Sequence, residues 1–304
     1  MGNRKTSPGP TNRVEAFAGL SLSMDATKTI TVDRLIDEYS VLLLDAYGVL
    51  VHSSGALPGA ARLIETLNRR KKSYYILTND ASKLPATCAD FFQRYGLAIT
   101  PDKIITSGSL LVDYFTRHHL IDKHCAVLGP EDSIRYVELA GGMIVEPTEP
   151  FEVLVIGDET GYPFLEKLDT ALSGLFNLLD HGCDMHLLLP NPDLIYPKAG
   201  NGFGLASGSI ALMLEAALQQ RYQFEPELKF VRLGKPHAAI FKEALSRSGT
   251  MDMVMIGDQL ETDIRGAVNF GIDSVLIGSG VAAANPHGVD RTIRPAYYLD
   301  HLKL

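Results

Sequence analysis

The sequence predicts an α/β protein built on a doubly wound, Rossmann-like parallel sheet, with a second α/β module inserted into it. Three observations predict it. From residue 41 onward, short apolar or β-branched runs alternate with longer stretches of helical period, the pattern of successive βαβ units. Several of the helical stretches close on glycine, a common helix C-terminus. Six of the runs end in polar or glycine residues, and an open parallel sheet gathers its ligand at the carboxyl ends of its strands.

Taken in order, the first strand is VLLL at 41–44, ending in Asp45, followed by the helix GAARLIETLNRR. SYYILT at 73–78 ends in Thr78 and Asn79 and leads to the helix LPATCADFFQRYG. KIIT at 103–106 precedes the helix SLLVDYFTRHHL, and AVLG at 126–129 and EVLVIG at 152–157 end in GPED and GDET, which lead into helices and meet no partner constellation. The long helix YPFLEKLDTALSGLFNLLDHG, the strand MHLLL at 185–189 and the helix SGSIALMLEAALQQRY come next. KFVRL at 229–233, the helix PHAAIFKEALSRSG, MVMIG at 253–257, the helix TDIRGAVNFG and SVLIG at 274–278 complete the series. Strands ending in residues that carry chemistry are expected to share one core. The expected division is therefore an N-terminal extension at 1–34, a first core segment at 35–107, an inserted module at 108–186 and a second core segment at 187–304.

With 304 residues, 46% of them hydrophobic, the chain can bury one large core or two smaller ones. A net charge of −8 and no basic run longer than Arg69 to Lys72 exclude a nucleic-acid footprint. An acidic chain that handles an anion must concentrate positive charge locally. Cys88, Cys125 and Cys183 are odd in number and form no CxxC pair, so a reducing, cytoplasmic setting is expected, with no disulfide framework or zinc knuckle. Asp45 interrupts the longest apolar run before it approaches the roughly 20 residues of a membrane span, so no membrane partner is expected. MGNRKT fits the weak myristoylation pattern of Gly2 followed by Thr6, but a polar leader is the plainer reading.

Four strand ends carry the candidate chemistry. Asp45 follows the most apolar run, and Gly48 permits the turn beyond it; a turn or cap is the ordinary role of an Asp there. Thr78 and Asn79 offer a hydroxyl and an amide to an oxyanion, although an Asx or ST turn accounts for them equally. Lys235 precedes Pro236, which reads as a first helical position, and a lysine there is ordinarily solvated. In GDQLETD, Asp258 and Asp263 stand close together in apolar surroundings. Two such carboxylates repel unless they share a cation, and hard oxygen ligands suit Mg²⁺.

In this order, Asp45-Ala46-Tyr47-Gly48, Thr78, Lys235, and Gly257 and Asp258 with Asp263 resemble the four motifs of the haloacid dehalogenase (HAD) superfamily, over residue 41 to about 278. The long insertion, with Asn191-Pro192-Asp193 and a Gly-rich stretch before SGSIA, is similar to subfamily IIA, the NagD-like group with a C2-type cap. The resemblance implies a phosphatase acting on a small phosphorylated metabolite through an aspartyl-phosphate on Asp45. It implies that Asp45, the main-chain carbonyl of Tyr47 and Asp258 hold Mg²⁺. Thr78 and the Asn79 amide bind phosphoryl oxygens, Lys235 offsets charge, and Asp263 orients Lys235 or a water of the metal site. Gly48, Asn191 and Pro236 are implied at the substrate, and a homodimer through the cap follows by the same analogy.

Tyr47 departs from the family pattern, in which an Asp at that position protonates the leaving oxygen. DAYG is similar instead to the dehalogenase branch, but those enzymes use no metal, replace GDxxxxD and insert a different cap before the second motif. General acid–base catalysis is worth about 10² to 10⁴-fold, so a modest activity biased to good leaving groups, and raised by Tyr47→Asp, is expected. The alternatives are a weakened phosphate-ligand binding or regulatory protein and a dehalogenase-like hydrolase. GNGFG at 200–204 lacks the spacing of a dinucleotide loop. His52, Ser53 and Ser54 read as a polar flap, since no GxSxG elbow accompanies them. Tyr162 falls where related caps carry specificity residues.

Overall fold

The computed structural model describes residues 28–52, 54–198, 202–223, 228–278 and 293–302; the Gly2 pattern and Ser53 lie outside them. The main sheet has seven strands, in the order Lys28–Thr29, Tyr297–Leu299, Asp273–Ile277, Met253–Gly257, Val41–Asp45, Ser73–Thr78 and Ile104–Thr106. Every pairing in it is parallel. Val41–Asp45 lies inside the sheet between Met253–Gly257 and Ser73–Thr78, and its register sets Asp45 opposite Leu77, one residue short of Thr78.

The pleat sorts the apolar runs onto two faces, which is why they read as continuous hydrophobic strands. Leu42, Leu44, Ile76, Val254 and Ile256 face one cluster, covered by the helices Val32–Glu38, Ala60–Arg69 and Pro85–Arg94. Val41, Leu43, Leu77, Met253 and Met255 face the other, against Ile240, Phe241 and Ala267 of the helices Ala238–Ser248 and Arg265–Phe270. Helices on both faces make the sheet doubly wound, as expected.

A second, five-stranded parallel sheet runs Val231–Arg232, His186–Leu189, Val153–Ile156, His124–Leu128 and Met143–Ile144. Its Cys125, Val153, Val155 and Leu188 belong to the same apolar cluster as the second face of the main sheet. Its Ala126, Leu154, Ile156, Leu187 and Leu189 pack under the helices Phe164–Asp180 and Ser207–Arg221. The two sheets are thereby joined through one shared core.

Two expectations about organisation are corrected. His186–Leu189 and Val231–Arg232 were expected in the main sheet because polar residues follow them; they pair instead in the second sheet, so its strands extend beyond residue 186. An apolar run carries no mark of the sheet it joins, and both sheets deliver chain to the same site. The N-terminal extension does not reach residue 34: Lys28–Thr29 pairs at the sheet edge, and Ile30, Val32, Leu35 and Ile36 are buried in the core. Pro236 is not the first helical residue either, since the helix starts at Ala238 with His237 as its N-cap. The described part of GNGFG, 202–204, lies in the strand Gly202–Leu205, one arm of an antiparallel hairpin with Ile195–Lys198. Among the described residues, no helix is long and apolar enough to cross a membrane.

Candidate active site

The buried strand Val41–Asp45 ends in a tight turn in which Leu50 and Val51 both donate to the Ala46 carbonyl, at 2.9 and 3.0 Å, and Gly48 donates to that of Val51 at 2.9 Å. Gly48 has φ +86, and a Cβ there would lie 2.3 Å from the Asp258 carboxylate. Glycine is required twice over, by the left-handed backbone and by the close approach. Val51–His52 and Gly55–Ala56 then form a short hairpin, in accord with a flap.

Met253–Gly257 delivers Asp258, and Asp263 sits in the π-helical turn Leu260–Ile264 that follows. The Gln259 amide donates to Asp263 Oδ2 at 3.1 Å, and a Cβ on Gly257 would fall 2.2 Å from Asp263 Cβ. Lys235 Nζ reaches both acids from the opposite side, 2.5 Å from Asp45 Oδ1 and 2.7 Å from Asp263 Oδ1. All four charged groups are buried. Burial holds the Asp45 carboxyl well above the usual carboxylate range, with Asp263 and Asp258 adding to the effect and Lys235 opposing it. Burial also works against the Lys235 ammonium, but Asp263 and Asp45 outweigh it and raise the lysine above its ordinary value.

Asn79 locks the lysine in place. Its Oδ1 accepts from the Lys235 amide at 2.7 Å, and its Nδ2 donates to the Lys235 carbonyl and to Asp193 Oδ1, both at 2.9 Å. Gly234 makes room for this, because a Cβ there would sit 2.4 Å from Asn79 Oδ1. Asn191 in turn accepts from the Asp193 amide at 3.0 Å.

One cavity of about 570 Å³ gathers these groups: Asp45, Tyr47, Thr78, Asn79, Asn191 and Lys235 all line it. Gly48 and Pro236, expected at the substrate, do not; Gly48 backs Asp258, and Pro236 packs against Gly266. Tyr162 is also off the wall, packed in the second module against Phe164. Tyr47 is 43% exposed and stacks on Phe91 at 6.3 Å between centroids. Burial raises its phenol above the ordinary value, partly offset by Lys83, so it is protonated at neutral pH.

Three buried carboxylates, Asp45, Asp258 and Asp263, have ligand oxygens within 4.8 Å of one another. One ammonium leaves that cluster net negative in a low-dielectric place. A hard divalent cation fits such an all-oxygen donor set.

Residues 42–142 match the family model for haloacid dehalogenase-like hydrolases, and residues 232–304 match a second, HAD-hydrolase-like model. The two matches contain Asp45, Gly48, Thr78, Asn79, Lys235, Gly257, Asp258 and Asp263. The chain belongs to the haloacid dehalogenase-like hydrolases. This hydrolase is 27% identical over 242 residues to the dihydroxyacetone phosphatase of Corynebacterium glutamicum, covering 79% of the chain and 81% of that protein. It is 25% identical over 246 residues to the acid sugar phosphatase of Staphylococcus epidermidis, covering 80% and 88%. A crystal structure from Cytophaga hutchinsonii, described as a "possible sugar phosphatase, HAD superfamily", superposes with a TM-score of 0.77 at 27% identity, covering 91% of this chain and 98% of that one. These relatives are consistent with the NagD-like subfamily IIA.

The second module adds to the cavity Asp193 of the NPD stretch, and Asp158, Glu159, Thr160, Tyr196 and Lys198, which were not expected at the site. GDET and NPD were visible as strand-end clusters. Which module faces which could not be read from them.

Proposed function

We propose that this hydrolase is a Mg²⁺-dependent phosphatase that cleaves a small phosphorylated metabolite through an aspartyl-phosphate on Asp45. The observation that carries the reading is that Asp45 and Lys235, which line the cavity, are buried in one cluster with Asp258 and Asp263. Relatives named for dihydroxyacetone and for sugars support a small phosphorylated sugar as substrate.

Asp45, the Tyr47 carbonyl and Asp258 are the residues that would hold Mg²⁺, whose charge would screen the nucleophile from the phosphoryl oxygens. Asp45 attacks phosphorus, and splitting the displacement in two lowers each barrier. Thr78 and the Asn79 amide donate to the equatorial oxygens, and Lys235 balances negative charge without adding water to the site. Asp263 holds the Lys235 ammonium toward Asp45. The clustered Asp258 and Asp263 oppose a dehalogenase reading, in which no metal is used.

Removal of divalent ions with EDTA is expected to lower release of nitrophenol from 4-nitrophenyl phosphate by about 10²-fold or more, and added Mg²⁺ to restore it. A rate indifferent to chelation, or turnover of 2-haloacids without metal, contradicts the reading. Tyr47 favours a second reading, a regulator that keeps its phosphoryl group; an Asp45 adduct persisting for many minutes after substrate is removed marks that case. Assembly as a homodimer through the cap belongs to the same proposal, and sedimentation equilibrium at one chain mass opposes it.

A further inference from the structure

We infer that Glu159, on the inserted module, is the general acid and base that position 47 does not supply. The inference rests on the phosphatase reading above. A phosphoryl transfer needs its attacking and leaving oxygens roughly in line, so the acid must stand across the phosphorus from Asp45.

Five carboxylates line the cavity: Asp45, Asp80, Asp158, Glu159 and Asp193. Asp45 is the nucleophile. Asp80 is committed on both oxygens, Oδ1 accepting from the Ser82 amide and hydroxyl at 2.8 Å and Oδ2 from Lys83 Nζ at 3.0 Å. Asp158 Oδ1 closes its own turn, accepting from the Thr160 amide at 3.0 Å and hydroxyl at 2.6 Å. Asp193 is tied to Asn79 and feels Lys235 and Asp263, which puts it on the nucleophile's side.

Glu159 remains. Its one hydrogen bond to another residue's side chain is a long one, from the Ser207 hydroxyl at 3.5 Å to Oε2. The charges it feels are Asp158 on its own turn and Asp80 from the main-sheet module, none of them in the nucleophile cluster. Glu159 and Tyr47, which stands at the position of the missing acid, line the same cavity. Burial first, then Asp158 and Asp80, raise the Glu159 carboxyl above the ordinary glutamate value. A carboxyl shifted in that direction holds its proton to higher pH than a free glutamate does, as a general acid requires. Lys83, Lys198 and Lys235 are the cations lining the cavity.

In the first step an Asp45 oxygen bonds to phosphorus, the ester P–O bond breaks, and the Glu159 proton passes to the departing alkoxide, releasing the alcohol. In the second, water attacks the aspartyl-phosphate and gives its proton to the Glu159 carboxylate; the P–O bond to Asp45 breaks, releasing phosphate and restoring both carboxyl groups. Tyr47, neutral, remains as an aromatic wall.

The test compares an aryl ester, 4-nitrophenyl phosphate, with the triose or sugar phosphate that turns over fastest, using the full chain with Mg²⁺. Glu159→Gln is expected to lower kcat on the alkyl ester by about 10² to 10⁴-fold, with a loss at least about ten-fold smaller on the aryl ester. The limb of the alkyl pH profile on the alkaline side, where the acid deprotonates, should disappear in that variant. Tyr47→Asp should restore the alkyl rate in the Glu159→Gln background. Equal losses on both esters, an unchanged alkyl rate, or no rescue by Tyr47→Asp overturns the role of Glu159. If the aryl ester is hydrolysed but no alkyl ester is, the Glu159 assignment fails alone; if neither is hydrolysed, the phosphatase reading fails with it.

Discussion

Asp45→Asn is expected to lower kcat on any phosphate ester by at least about 10⁴-fold while leaving the protein as stable as its parent, or more so. The loss follows from removing the proposed nucleophile. The stability follows from the sign of the Asp45 shift. Its folded-state pKa is raised above the unfolded value, so ionising this buried carboxyl costs the fold, and stability falls as pH rises from about 3.8 through the raised value. Asparagine keeps the shape and removes the charge. Turnover assays beside thermal unfolding in EDTA check both halves. Activity within ten-fold of the parent, or a marked fall in Tm, contradicts the assignment.

Lys235→Met is expected to destabilise the protein by about 3 to 5 kcal/mol at neutral pH, because it strips the counter-charge from buried carboxylates. The wild-type lysine, with its pKa raised in the folded state, contributes its stabilisation below its unfolded pKa and loses it only in strong alkali. In the variant the carboxylates are left to repel one another and take up protons more readily on folding. Its stability should therefore fall as pH rises, making it firmer at about pH 5 than at about pH 8. Urea unfolding at the two pH values, without divalent ions, measures this. A variant that loses less than about 1 kcal/mol with no pH dependence shows that Lys235 does not hold the cluster together.

The strands that position the nucleophile were legible because both their faces are buried. Ser73–Thr78 and Met253–Gly257 appear at the expected bounds, as uninterrupted aliphatic or aromatic runs. Lys28–Thr29, Met143–Ile144 and Tyr297–Leu299 were not, since two or three residues at or near a sheet edge leave no period to detect. Asp45, Thr78, Lys235, Asp258 and Asp263 were legible as polar ends of apolar runs, and they do converge. The division between modules was not, because His186–Leu189 is as apolar as any main-sheet strand, and the Asn191 and Asp193 that follow it reach the main-sheet site from the second sheet. Glu159 was hidden for the same reason. Its neighbours in sequence are a turn, and its place in the site comes from the cavity wall it shares with Asp45, a residue of the other module.

The central claim is that Asp45 carries the phosphoryl group. Rapid acid quench during steady turnover, followed by peptide mass spectrometry, tests it directly. The expected result is a single phosphoryl group on the peptide containing Asp45, absent from Asp45→Asn and absent when divalent ions are removed. Turnover of the same substrate with no phosphoryl group on Asp45, or with one on another residue, would contradict the account.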